Sequence, residues 1–446
     1  MSALLTRNTF AAVALGLVLG GCNSGVFGRA ESRQTPTVGE RVPILSRIEN
    51  AVTADPSLAA TPVALPAAQQ NAEWGQAGGN ASKAMGHLAL SAAPTQAWTA
   101  QIAGATNRRR LAAAPVVGGG RLFAIGTDGM IRAFDAATGG AVWAFRPEVA
   151  ANVADALFGG GVTYADGRVY GTLGTGEVMA LDAATGALLW QVRPSGPLRG
   201  SPTVAFNLVM VMTQDNQILA LNAANGALEW QESGSSAQAG VFGVAAPAAA
   251  QGTIVAGYSS GELVAYRYEN GRVLWSDALA RTSISTEVGA LTDIDADPII
   301  EGGRVFALGQ GGRMAAYDLL SGQRAWELNL AGISTPAIAG NWIFTLTDDG
   351  RMLAIARGNG RIRWITQLQR YRNAEKRTGP IFWTGPVLAG GQLWIANSEG
   401  AVMRVNPADG AAVPFVSLGQ PVSLAPVVAN GTLYILDDSG RITAWR

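Results

Sequence analysis

Asp293, Asp295 and Asp297 place three carboxylates at alternate positions of a 446-residue chain. That spacing opens a calcium loop of the EF-hand kind, which needs Gly at its sixth position and Glu at its twelfth. Here those positions hold Pro298 and Arg304, so we expect no metal site of that kind. The chain has a single histidine, His87, and a single cysteine, Cys22. One of each cannot build a Cys/His zinc site, and His87 lies outside the repeats described below, so it reads as a plain polar residue. No P-loop, Gly-rich dinucleotide turn or GxSxG elbow is present. The residues therefore point to no catalytic group and no metal.

The chain is organised instead around a repeated phrase. Ala133 to Trp143 reads AFDAATGGAVW. Ala180 to Trp190 and Ala220 to Trp230 repeat it, as do Ala265 to Trp275, Ala316 to Trp326 and Ala354 to Trp364. A worn copy spans Arg404 to Val413. The period is about 45 residues, the length of a propeller blade. Alternation through Met130, Arg132 and Phe134 against Ile131, Ala133 and Asp135 is that of a strand. Asp135, Thr138 and Gly139 supply turn chemistry, Gly by tolerating positive φ. Val142 and Trp143 start the return strand. A second hairpin precedes each phrase, as in Ala114-Pro-Val-Val followed by Arg121-Leu-Phe-Ala-Ile. Each unit thus predicts four antiparallel strands. An isolated hairpin cannot bury its Trp, whereas a neighbouring repeat can.

The last unit stops at Ala444-Trp445, before any fourth strand. Gln96-Ala-Trp98 resembles the strand that contains Trp143, and it precedes the first full unit. The fold expected is all-β: an eight-bladed β-propeller over residues 91–446, with its last blade closed by the strand around Trp98. Closure removes an exposed sheet edge. The anchors are Trp98, Trp143, Trp190, Trp230, Trp275, Trp326 and Trp364.

Composition excludes other classes. Thirty-two basic residues balance 32 acidic ones, which argues against nucleic acid as a partner. Arg7 precedes an apolar run from Phe10 to Leu19, which ends in Leu-Gly-Gly-Cys22. Small residues directly before a cysteine resemble a bacterial lipoprotein signal, in which Cys22 is lipidated and begins the mature chain. Residues 1–22 are read as that signal. Asn23 rather than Asp follows, which by analogy favours the outer membrane over the inner. Residues 23–90, rich in Pro, Ala, Gln, Ser and Asn, are read as a low-complexity tether, with its last part, which carries Trp74 and Leu88, expected along the propeller. Arg108-Arg109-Arg110 and the stretch 370–377 are read as connections without a specific role.

The A-x-D-x-x-T-G-x-x-x-W phrase resembles the tryptophan-docking motif of quinoprotein-type propellers. One class there, the pyrroloquinoline-quinone dehydrogenases, typically pairs adjacent cysteines near its cofactor, and this chain has no cysteine to spare. The other is the BamB family, propeller lipoproteins of the outer-membrane β-barrel assembly machinery. It resembles this chain from Cys22 through the last blade. Ser285-Thr-Glu-Val with Leu291-Thr-Asp293-Ile-Asp295 resembles the acidic connection that family uses against BamA. Leu198-Arg199-Gly200 resembles a second connection presented there, although Gly196 stands where the family usually has leucine.

That resemblance implies a non-enzymatic scaffold without a cofactor, anchored to the periplasmic face of the outer membrane through Cys22. It implies docking on the BamA periplasmic domain and contact with unfolded outer-membrane proteins. Leu198, Arg199, Asp293 and Asp295 are the partner-binding residues implied. Topology agrees that they share a face, because connections from an outer strand to the next inner strand all emerge on one side of a propeller. The rival readings are a quinone-dependent dehydrogenase and an envelope adaptor for another partner.

Overall fold

Each copy of the repeat folds as its alternation requires. In the computed structural model, which describes residues 52–150, 156–235, 245–279 and 292–446, blade 1 consists of Val116–Gly118, Arg121–Ile125, Ile131–Asp135 and Ala141–Phe145. These strands pair antiparallel in chain order. Eight four-stranded sheets of this kind are present among the described residues. The inner strands of blades 2 to 8 are Val162–Ala165, Leu198–Ala205, Ala248–Ala250, Ile299–Glu301, Ala337–Ala339, Trp383–Ala389 and Val427–Ala429.

Blade 8 closes as its sequence requires. Its outer strand is Gln96–Gln101, paired with Arg441–Trp445 so that Trp98 faces Ala444. The tryptophans then dock each blade onto the next. The Trp98 indole N–H donates to the Ala136 carbonyl at 3.2 Å, and that of Trp143 to Ala183 at 3.0 Å. Trp190, Trp230, Trp275, Trp326 and Trp364 donate to Ala223, Tyr268, Leu319, Arg357 and Pro407 at 2.8–3.1 Å. Each acceptor lies in the turn between the third and fourth strands of the following blade. The glycine of that turn forms the floor under the ring. At Gly226, φ is +75°, and an added Cβ would stand 2.7 Å from Trp190.

The worn copy now has a cause. In blade 8 the third and fourth strands come from opposite ends of the chain, so no such turn exists to receive an indole. At that junction Phe415 packs edge-on instead, against Trp394 at 5.0 Å and Trp445 at 5.1 Å. The stretch 370–377 also gains a structure. Tyr371–Asn373 and Thr378–Pro380 pair as a small hairpin between blades 6 and 7.

The last part of the expected tether has a place in the fold. Residues 52–90 lie against the propeller. Val52 packs beside Trp326 and Ile362, and the Asp55 amide donates to the Ile362 carbonyl at 2.7 Å. Trp74 and Leu88 are buried, in the cluster that contains Leu122, Val428 and Trp445. Cys22 and the remainder of the expected tether lie outside the described residues.

A methyl group at Gly226 meets both a forbidden φ and the Trp190 ring. Gly226→Ala should therefore cost about 2–4 kcal/mol, the sum expected for overpacking and backbone strain. Urea unfolding will read it as a lowered midpoint. Gly358→Ala, where an added Cβ meets nothing within 4 Å, should leave the midpoint close to wild type.

Candidate functional interface

The two connections singled out in the sequence come together on one face, through a residue that belongs to neither. Arg199 is the second residue of the inner strand of blade 3, paired with Met212. Gly200 holds that strand to the preceding connection, its amide donating to the Gly159 carbonyl at 3.1 Å. From there Arg199 reaches blade 4, where Nη1 donates to Ser259 Oγ at 3.0 Å. Ser259 lies in the turn between Thr253–Gly257 and Glu262–Arg267. Its carbonyl accepts from Thr292 Oγ1 at 2.8 Å, which ties in the segment carrying Asp293 and Asp295. The Asp293 carbonyl in turn accepts from the Gln310 amide of blade 5 at 2.8 Å.

The four expected residues do not play equal parts. Leu198 is only 3% exposed, paired with Thr213 and packed in the cluster that contains Val209 and Val211. Asp293 is 1% exposed. Both shape the surface from beneath. Arg199 and Asp295 are half-buried and provide its charge. Gly196, where leucine was expected, also stands against a neighbour: its carbonyl would be 2.7 Å from a Cβ at Gly176. Ser285, Thr286, Glu287, Val288 and Leu291 lie outside the described residues.

Asp295 carries an unusual proton affinity. Burial, with Asp293 beside it, pushes its carboxyl up to about 7, against the opposing pull of Arg199. Asp348 of blade 6 adds to the repulsion. Burial and neighbouring Asp349 push Asp348 itself up to about 6. The patch is thus an arginine set beside carboxylates that gain charge between mildly acidic and neutral pH.

Asp297 parts company with the other two aspartates. Its Oδ1 accepts from the Ala246 amide at 2.7 Å, and its own amide donates to Thr335 Oγ1 at 2.9 Å. Lys83 of the N-terminal segment lies close enough to pull its carboxyl down against a larger rise from burial. Among the described residues, no group of three His, Cys, Asp or Glu side chains is arranged to hold a metal ion.

Sequence reading missed Ser259 and Asp348, and quoted Thr292 without giving it a role. The available signal was positional. Ser259 and Asp348 occupy the turn between second and third strands, and those turns emerge on the same face as the blade-to-blade connections. His87 was also under-read. The Gly391 amide donates to its Nε2 at 2.9 Å, and its Nδ1 lies 2.8 Å from the Pro66 carbonyl.

Eight blades, joined at seven junctions by tryptophan docks, define the class as a closed β-propeller with a quinoprotein-like repeat. Comparison with known proteins then narrows it. The family model described as "Outer membrane protein assembly factor BamB" matches residues 127–366, and the chain belongs to that family. It is 28% identical to the assembly factor BamB of Yersinia pestis, over 79% of this chain and 88% of that protein. It is 29% identical to that of Escherichia coli K12, over 45% of this chain and 49% of the relative. The crystal structure of BamB from Moraxella catarrhalis superposes with a TM-score of 0.68 at 22% identity, over 79% of this chain and 99% of that one. A quinohemoprotein alcohol dehydrogenase from Pseudomonas putida shares the fold, with a TM-score of 0.64 at 12% identity, over 84% of this chain and 80% of that one.

A carboxyl whose affinity for protons rises on folding contributes stability below its unfolded value, near 4, that is lost as pH climbs through its folded value, near 7. Asp295→Asn removes that dependence. The variant should melt higher than wild type at about pH 8, and the gap should narrow steadily toward about pH 4. Thermal scans across that range will read it.

Proposed function

We propose that this protein is a non-enzymatic subunit of the machinery that assembles β-barrel proteins in the outer membrane. In this reading it is lipid-anchored through Cys22 on the periplasmic side and docks on the periplasmic domain of BamA. The observation that carries the docking surface is the bridge from Arg199 through Ser259 to Thr292, which holds an arginine and Asp295 on one face across blades 3 to 5. A cation and a nearby carboxylate set over buried Leu198 and Asp293 make a charge-selective surface. Such surfaces favour specific partners by complementarity more than by area.

Family membership supports the assembly role, and the relatives named above are assembly factors by description. The outer strands offer a second contact surface for unfolded substrate chains. Leu188, Leu189, Leu228, Val273 and Leu274 lie 43–48% exposed along the rims of blades 2 to 4. Extended chains recognise strand edges through backbone hydrogen bonds and apolar contacts.

The test is affinity capture from detergent-solubilised cells, with the tagged full-length protein beside an Arg199→Glu, Asp295→Lys variant. Circular dichroism first establishes that both fold alike. BamA should follow the wild type, and the variant should bind it about tenfold or more weakly, as loss of close interfacial charge pairs does. Equal capture by both would reject this face. Capture by neither would favour an envelope adaptor with a different partner. A near-ultraviolet or visible quinone band in the purified protein would overturn the non-enzymatic reading.

A further inference from the structure

The N-terminal segment does more than lie against the propeller. It runs round the central channel and bonds to the inner strands in ring order. The Asn71 carbonyl accepts from the Asn430 amide of blade 8 at 2.7 Å. Trp74 exchanges both backbone bonds with Val117 of blade 1, at 2.8 and 2.9 Å. The Gly75 carbonyl accepts from Tyr164 of blade 2 at 2.6 Å. The Gln76 side chain mimics a strand, accepting from the Val204 amide of blade 3 and donating to its carbonyl at 3.0 and 2.9 Å.

Ala81 and Ser82 carbonyls then accept from Ala249 of blade 4 and Ile300 of blade 5, at 2.8 and 2.9 Å. Leu88 donates to Leu388 and accepts from Gly390 of blade 7, at 3.0 and 2.9 Å. The loop closes on itself. Gln69 donates to His87 and accepts from Ala89, at 2.9 and 2.8 Å. Seven of the eight blades thus give an amide to this one segment, five from the inner strand and two, Asn430 and Gly390, from the residue just after it.

Inner strands have no strand neighbour on the channel side, so their amides need another partner. An unpaired sheet edge is a ready template for an extended peptide. We propose that the channel mouth on this face is a peptide-binding site which the chain fills with its own residues 69–89, as a closed inner collar. The collar locks the ring from inside, as the Trp98 strand locks it from outside. While seated it occupies the inner edges that another extended chain would need.

The fit is specific. Gly75 approaches blade 2 so closely that an added Cβ would stand 2.7 Å from the Tyr164 carbonyl oxygen. Trp74 and Leu88 are buried in the core. Lys83 acts as a central pin. It is 3% exposed, and its Nζ donates to Thr203 Oγ1 at 3.1 Å on blade 3. Burial pulls its ammonium down to about 8, with Asp297 opposing.

The test uses the full-length protein with a site-specific protease sequence inserted between Ser91 and Ala92, an exposed stretch between collar and closing strand. After cleavage of the folded protein, the N-terminal fragment should co-elute with the ring on gel filtration and part from it only in denaturant. The nicked Trp74→Ala, Leu88→Ala variant and the nicked Lys83→Met variant should lose the fragment under native conditions. Separation of the wild-type fragment from the native ring would overturn the proposal, as would equal retention by the variants. If a variant does not fold, hydrogen exchange on the intact wild type decides. The amides of Tyr164, Ala249, Ile300 and Asn430 should be protected as strongly as the ladder amides beside them, and fast exchange there would reject the collar. Neither readout involves BamA, so this result and that of the docking test are independent.

Discussion

The propeller depends on one contact, repeated. In seven of the eight blades a tryptophan at the outer strand lays its ring over the glycine of the next blade's outer turn and donates its indole N–H to a carbonyl there. The pairing solves two problems together. The aromatic surface gains a partner that a lone hairpin lacks, and the indole proton avoids being buried without an acceptor. Glycine is required twice at that position, for the positive φ and for the space beneath the ring. A blade is therefore incomplete by itself, and stability is a property of neighbours rather than of units.

Such dependence makes ring closure decisive. Seven junctions use the tryptophan dock, and that of Trp98 on Ala136 joins the last blade to the first. The remaining junction cannot use it, because blade 8 has no continuous outer turn, and Phe415 fills the gap between Trp394 and Trp445. The same splice that closes the ring therefore erases one copy of the motif. The circle also brings Arg199, Ser259 and Thr292, distant in sequence, within hydrogen-bonding distance on one face.

These features differ in how plainly the sequence carried them. The dock was legible, because Trp and Gly recur at fixed offsets in all six phrases, with Asp in three, and each residue type has a physical reason to be there. The shared face of Arg199 and Asp295 was legible from topology alone. Ser259 and Asp348 were not, since they come from turns of other blades and a serine in a turn carries no signal of its own. Leu198 was expected at the interface from the Leu-Arg-Gly resemblance, and its burial was not legible because leucine type says nothing of which way a strand's first residue points. Residues 69–89 looked like tether for a different reason. They bind through backbone carbonyls of Asn71, Gly75, Ala81 and Ser82, and backbone groups leave no mark on composition.

That last point bears on how the molecule divides its labour. A backbone-bonded collar is tolerant of side-chain identity except where the chain must pass close, at Gly75, fill the core, at Trp74 and Leu88, or bond through a side chain, at Gln76 and Lys83. Low complexity and firm attachment are then compatible, since polar composition removes only the apolar drive to fold and the inner strand edges supply another. The collar lies at the end of the inner strands that leads into their first turn, while Arg199 and Asp295 lie on the opposite face, where blades connect. One face of the ring is thus committed to holding the chain together. The charge-bearing groups stand on the other, where changing them need not disturb the lock.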